Sequence, residues 1–99
     1  MLLIIGTIWL PASNLALAKP IMTRMIKASR AEHGCLGYSY AEDVIDTGLI
    51  HVVEVWVDRA SLDQHFSSTH IAEWRSHWPA LGITDRKLTA YEVTASGPI

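Results

Sequence analysis

Cys35-Leu36-Gly37-Tyr38-Ser39-Tyr40-Ala41-Glu42 is followed by Asp43-Val44-Ile45-Asp46-Thr47-Gly48 and then by Leu49-Ile50-His51-Val52-Val53-Glu54-Val55-Trp56-Val57. The first segment alternates. Leu36, Tyr38 and Tyr40 share one face, and Cys35, Gly37, Ser39 and Ala41 share the other. The third segment is rich in β-branched residues, which suit a pleated strand. The stretch between them, ending in Gly48, is a turn signal. Two strands joined so closely predict an antiparallel hairpin.

Working outward, Leu2 to Leu10 is short, apolar and β-branched, and reads as a first strand closed by Pro11. Ser13 or Asn14 can cap a helix that begins near Leu15. Leu15, Ala18, Met22, Met25, Ile26 and Ser29 recur at helical spacing, with Arg24, Lys27 and Arg30 on the wet side. Pro20 is expected to kink that helix or to divide it, and Gly34 to end it. Beyond the hairpin, a short helix is expected over about Ser61 to Phe66. A second, capped by Ser68 or Thr69, runs to His77 or Trp78, with Pro79 and Gly82 ending it. A last strand spans about Lys87 to Val93. Residues 95–99 read as a tail to a single domain whose core is 1–94.

The order β-α-β-β-α-β predicts a ferredoxin-like α+β fold, a four-stranded antiparallel sheet with helices on one face. The opposite face must then be polar or covered. Many of its residues are apolar, and 49% of the 99 residues are hydrophobic, with mean hydropathy +0.19. That surplus predicts a symmetric homodimer built sheet against sheet.

The net charge of −2 and eight scattered Lys and Arg argue against a nucleic-acid surface. No segment approaches the roughly 20 apolar residues of a membrane span. No Lys or Arg precedes the apolar start of the chain, so Leu2 to Leu10 reads as a buried strand in preference to a signal peptide that ends near Ala16-Leu17-Ala18. A single cysteine, Cys35, fits a cytoplasmic location and reads as a small buried residue.

Polar chemistry concentrates in one stretch. Glu54, Trp56, His65 and His70 fall in the spacing E-x-W-x8-H-x4-H. Glu54 in a central strand needs a partner, and is expected to orient His65 or His70. His65 should lie near the C-terminal end of a short helix, where the dipole favours the imidazolium. His70 should lie in the first turn of the next, where the dipole disfavours it. This predicts His70 as neutral base and His65 as orienting or anion-stabilising donor. Trp56 would give a flat aromatic wall. Tyr38 and Tyr40 would line the cavity or pair across strands, and Arg75 would be a pocket cation or a surface residue. Met22, Met25, Trp74 and Trp78 read as core, Met25 also bordering the pocket. A metal set drawn from His51, His65, His70 and His77 has no HExxH or CxxC spacing behind it, and none is expected.

Two segments resemble the antibiotic biosynthesis monooxygenase superfamily. Ser29-Arg30-Ala31-Glu32-His33-Gly34-Cys35-Leu36-Gly37-Tyr38 is similar to its E-x-G-C segment after the first helix, and Glu54 to His70 to its E-x-W…H…H segment. The likeness is closest to the quinol-monooxygenase branch. It implies a dimeric α+β barrel that oxidises phenolic or quinol-type aromatics with O2 as co-substrate and no metal, flavin or nicotinamide. Haem-degrading relatives carry a strand-1 asparagine, a tryptophan near the position of His65 and a haem-ligating histidine near Arg75. This chain has none of these, which argues against haem.

A phenol near pKa 10 and a histidine near 6.5 differ by about 5 kcal/mol, so a base alone is insufficient. A donor such as His65, Tyr38 or Arg75 must hold the oxyanion. The alternative is a non-catalytic dimeric barrel that binds a hydrophobic metabolite or serves a stress response.

Overall fold

The computed structural model describes all residues, 1–99. The strands are β1 (Leu2–Trp9), β2 (Cys35–Glu42), β3 (Leu49–Trp56) and β4 (Thr84–Glu92); the helices are α1 (Leu15–Arg30), α2 (Arg59–Phe66), α3 (Thr69–Ser76) and α4 (Trp78–Leu81). One sheet holds the strands in the order β2-β3-β1-β4, every neighbouring pair antiparallel. This is the expected ferredoxin-like α+β fold.

The hairpin forms where its sequence places it. Asp43 closes the turn: its Oδ2 accepts from the backbone N–H groups of Ile45 and Asp46 at 3.0 and 2.8 Å. These bonds and His51 hold its carboxyl down to about 2. Gly48 completes the turn at φ 96°, where an added Cβ would run into the Trp9 indole.

Alternation along β1 and β3 puts Leu2, Ile4, Ile8, Ile50, Val52 and Trp56 on the face that meets the helices. Ala18, Met22 and Met25 of α1 and Ile71 and Trp74 of α3 close over them. The opposite face packs against no helix. There Leu3 pairs with Val55 and Ile5 with Val53, and Ile5 and Val53 are 45% and 38% exposed.

Four local expectations are corrected. Pro20 neither divides α1 nor ends it. Pro20 and Ala16, whose carbonyl loses its donor there, both lie on the exposed side, where water can serve that carbonyl. Gly34 is not the end of α1, which Ala31 caps; its role is to admit another element. Pro79 does not stop the last helical run but starts α4 after a break at His77, and Gly82 at φ 72° ends it. Strand β4 begins three residues early, at Thr84 instead of Lys87. A register shift and Asp85 at φ 56° break the alternation that would have revealed it.

Candidate active site

Strand β3 places Glu54 and Trp56 on one face, two residues apart. Both are buried, and the Trp56 indole N–H donates to Glu54 Oε1 at 2.9 Å. Burial pushes the Glu54 carboxyl up, and the indole bond opposes that push. Tyr38 stands opposite Glu54 in the β2–β3 register. Burial pushes its hydroxyl well up, so it remains a donor.

The next segment folds over this patch as two short, capped helices. Asp58 accepts from Ser61 N at 2.8 Å and starts α2. Ser68 caps α3 and donates to the His65 carbonyl at 2.6 Å, which fixes the angle between the helices. His65 in the last turn of α2 and His70 in the first turn of α3 therefore face the same side, ring centroids 5.9 Å apart.

The group that joins them is Glu32, on the connection from α1 to β2. His65 Nδ1–H donates to Glu32 Oε2 at 2.5 Å, and His70 Nε2–H donates to the same oxygen at 2.9 Å. Gly34 makes this reach possible. A Cβ there would lie 1.9 Å from Ser61 Oγ, so only glycine lets the start of α2 sit on the α1–β2 connection.

The hydrogen bonds set the tautomers. A carboxylate only accepts, so His65 carries its proton on Nδ1 and presents a bare Nε2 to the Tyr38 hydroxyl at 3.4 Å. His65 is 1% exposed. Its burial pulls the pKa down, against the upward pull of Glu32. This reverses the expectation from the helix dipole, which is worth only about 0.3–1 kcal/mol. Nor does Glu54 orient a histidine: its Oε1 lies 3.9 Å from His65 Nε2, beyond hydrogen-bond reach.

Around this dyad lies a cavity of about 20 Å³, bordered by Tyr38, Tyr40, Glu54, His65, Trp74 and Arg75. It has room for about one water. Trp56 does not wall it. That indole is fully buried behind His65, centroids 4.7 Å apart. Arg75 is exposed and lies over the faces of Phe66 and Trp78. Met25 borders, with His70, a separate cleft of about 170 Å³ between α1 and α3. A larger groove of about 340 Å³ runs between α1 and β2 over Leu15, Lys19, Met22, Ile26, Tyr40 and Ile50. Tyr40 is common to the groove and the small cavity. His51 lies away from the site, bonded to Asp43 at 2.8 Å. Cys35 is half-buried, and burial pushes its thiol up.

The profile of the antibiotic biosynthesis monooxygenase family matches residues 1–76, which carry β1 to α3 and every member of the Glu32–His65–His70 cluster. The chain belongs to that family. A crystal structure from Deinococcus radiodurans, proposed to be an antibiotic biosynthesis monooxygenase, superimposes with TM-score 0.91 at 27% identity, covering 100% of this chain and 98% of that one. PA3566 from Pseudomonas aeruginosa does so with TM-score 0.83 at 28% identity, over 95% of this chain and 94% of the other. The uncharacterized protein sll1783 of Synechocystis sp. is 34% identical over 68 residues, 69% of this chain. The chain's match spans about half (46%) of the length of that curated relative.

Among the family's segments, Glu54 to His70 led directly to Trp56, His65 and His70. Glu32 was missed as a functional residue. Its signal was present, because Glu32-x-Gly34-Cys35 is the other segment that carries the family likeness.

Proposed function

We propose that this antibiotic biosynthesis monooxygenase family member is a cofactor-independent oxygenase of a small phenolic or quinol-type aromatic. His65 is the base, Glu32 its orienting carboxylate and Tyr38 the donor to the developing oxyanion. The observation that carries this reading is the bond from His65 Nδ1–H to Glu32, which leaves a neutral Nε2 beside a protonated Tyr38 hydroxyl. The base role thus goes to His65, whose bare Nε2 faces the Tyr38 hydroxyl at the small cavity, and not to His70, which borders the cleft between α1 and α3.

Proton transfer to Nε2 turns the substrate into a phenolate, and the Tyr38 O–H turns to the new anion. The phenolate passes one electron to O2. Superoxide and the ring radical combine at carbon to form a hydroperoxide. Loss of water leaves a quinone, so one phenol and one O2 give one quinone and one H2O.

The substrate seats in the groove between α1 and β2, whose volume of about 340 Å³ suits a single-ring ligand. Rotation of Tyr40, common to both spaces, opens the way to His65. Trp56 acts from behind, holding Glu54 and packing on the His65 ring. The apolar outer face of the sheet, with Leu3, Ile5, Val53 and Val55, pairs with a second copy to form a homodimer. The free thiol of Cys35 suits the reducing cytoplasm.

Separation of the groove from His65 by the Tyr40 ring favours the second reading, a binder of hydrophobic metabolites without turnover. Oxygen uptake by chelator-treated protein over a panel of hydroquinones decides between them. Uptake above buffer that falls about 10²-fold or more in His65→Gln supports the oxygenase. Flat traces across the panel, with quinol binding retained, support the binder.

A further inference from the structure

The Glu32–His65–His70 cluster has a second chemistry written into it. Two imidazole nitrogens converge on one carboxylate oxygen, at 2.5 and 2.9 Å, from α2, α3 and the α1–β2 connection. The three possible ligand atoms all lie within 4.8 Å of one another. Two histidines and one carboxylate are the donor set of open divalent transition-metal sites. This set differs from the four histidines weighed in the sequence, because Glu32 replaces His51 and His77.

We propose that these three side chains bind a divalent transition ion of the zinc class, through His65 Nδ1, His70 Nε2 and a Glu32 oxygen. The ion takes the place of the two N–H protons that now bridge the imidazoles to the carboxylate. Binding needs no net proton release from neutral rings. The His65 proton moves from Nδ1 to Nε2, and the His70 proton from Nε2 to Nδ1.

The surroundings support the exchanged tautomer. Once His65 carries its proton on Nε2, that N–H faces the Tyr38 hydroxyl oxygen at 3.4 Å, which can accept it. An acceptor on the far nitrogen is the usual support of a metal-bound histidine. Access comes from the other side. The Glu32 and His70 side chains are 18% and 20% exposed, and His70 borders the cleft between α1 and α3. Ligand atoms around such an ion sit roughly 3–3.5 Å apart for bonds of about 2.0–2.2 Å. Glu32, on a connection outside any helix or strand, therefore has to withdraw by about 1 Å or less, and the two imidazole nitrogens, within 4.8 Å of each other, have to settle at that spacing.

The site and the proposed base exclude each other. A metal on Nδ1 forces the proton onto Nε2, and that nitrogen then cannot accept a second one. That exclusion rests on the oxygenase reading, whereas metal binding itself does not.

The test is a titration of the full chain, first stripped with chelator, with Co(II) and with Zn(II), followed by cobalt absorption and by calorimetry. One ion per chain is expected, with affinity lowered at least about tenfold in Glu32→Gln and in His70→Ala, and unchanged in His51→Ala. Near-UV circular dichroism on the four tryptophans checks that each variant folds. Imidazole nitrogen NMR of the zinc-loaded protein is expected to show His65 protonated on Nε2. No binding up to about 1 mM metal overturns the proposal. So does binding that Glu32→Gln and His70→Ala leave unchanged, or a His65 proton that stays on Nδ1. Failure of the oxygenase reading is separate: it appears as absent O2 uptake by stripped protein, whatever the cobalt spectrum shows.

Discussion

The Trp56 indole N–H donates to the carboxylate of Glu54, two residues earlier on the same strand, at 2.9 Å, with both side chains buried. It is the only hydrogen bond the Glu54 side chain makes within the protein. Trp56→Phe keeps the packing and removes that donor. An unfolding free-energy loss of about 1–3 kcal/mol is expected by urea denaturation. The sign of its pH dependence follows from the raised Glu54 pKa. The folded state favours the protonated carboxyl, so this group's contribution is present at acid pH and lost as pH rises through its folded pKa. The indole bond opposes that shift by favouring the ionised carboxyl, so the Trp56→Phe penalty should be larger at neutral than at acid pH.

His65 runs the other way. Burial lowers its pKa, so the folded state favours the neutral ring. Its contribution to stability is present above the unfolded value near 6.5 and is lost as pH falls through the folded value. The same group sets the rate profile if it is the base. The acid limb of kcat/KM for quinol oxidation should lie below about pH 6.5. A limb above that value would remove His65 from the base role.

Glu32 pulls the His65 pKa up through its hydrogen bond and its charge. Glu32→Gln should move the acid limb to still lower pH and reduce turnover about ten- to a hundredfold. A purely structural role for Glu32 would reduce active protein without displacing the limb.

Gly34 has a mechanical role. A methyl group at position 34 would collide with both Oγ and Cβ of Ser61. Gly34→Ala should push the start of α2 outward, cost more than about 1 kcal/mol in stability, and weaken the His65–Glu32 pair. Ser61→Gly in the same chain should return most of the loss. A double-mutant cycle with a coupling energy near zero would show that the clash is relieved some other way.

The outer sheet face gives a prediction about assembly. Ile5→Lys sets a charge beside Val53, its partner across β1 and β3. Light scattering is expected to show a dimer for the wild-type chain and a monomer for the variant, with far-UV circular dichroism retained; a monomeric wild type would remove this face as a dimer interface.

The sequence made the strands and the hairpin legible because their signals are local. Alternation around Tyr38 and Tyr40, the β-branched run before Trp56 and the turn at Gly48 lie within a few residues of the structure they specify. The family segments then located His65 and His70. Glu32 was harder to read because its partners lie 33 and 38 residues away, and no periodicity reports a contact of that span. Trp56 was misread as a wall for a related reason. Strand parity says that it points inward, but not that His65 stands in front of it. The small volume of the cavity beside His65 depends on the Tyr40 and Trp74 rotamers, which no pattern of residue types encodes.

The reach of Glu32 across the chain also orders events in time. Its carboxylate belongs to the end of the first βα unit, and both imidazoles arrive from the helices that follow the hairpin. Nothing in either half alone holds the three groups together. Closing so long a loop costs more chain entropy than forming the local helices and the hairpin, so the cluster is expected to close after them. A collapsed intermediate with native secondary structure would have every residue of the site and no site. The Glu32-dependent shift of the His65 ring would then mark the final step of folding rather than its beginning.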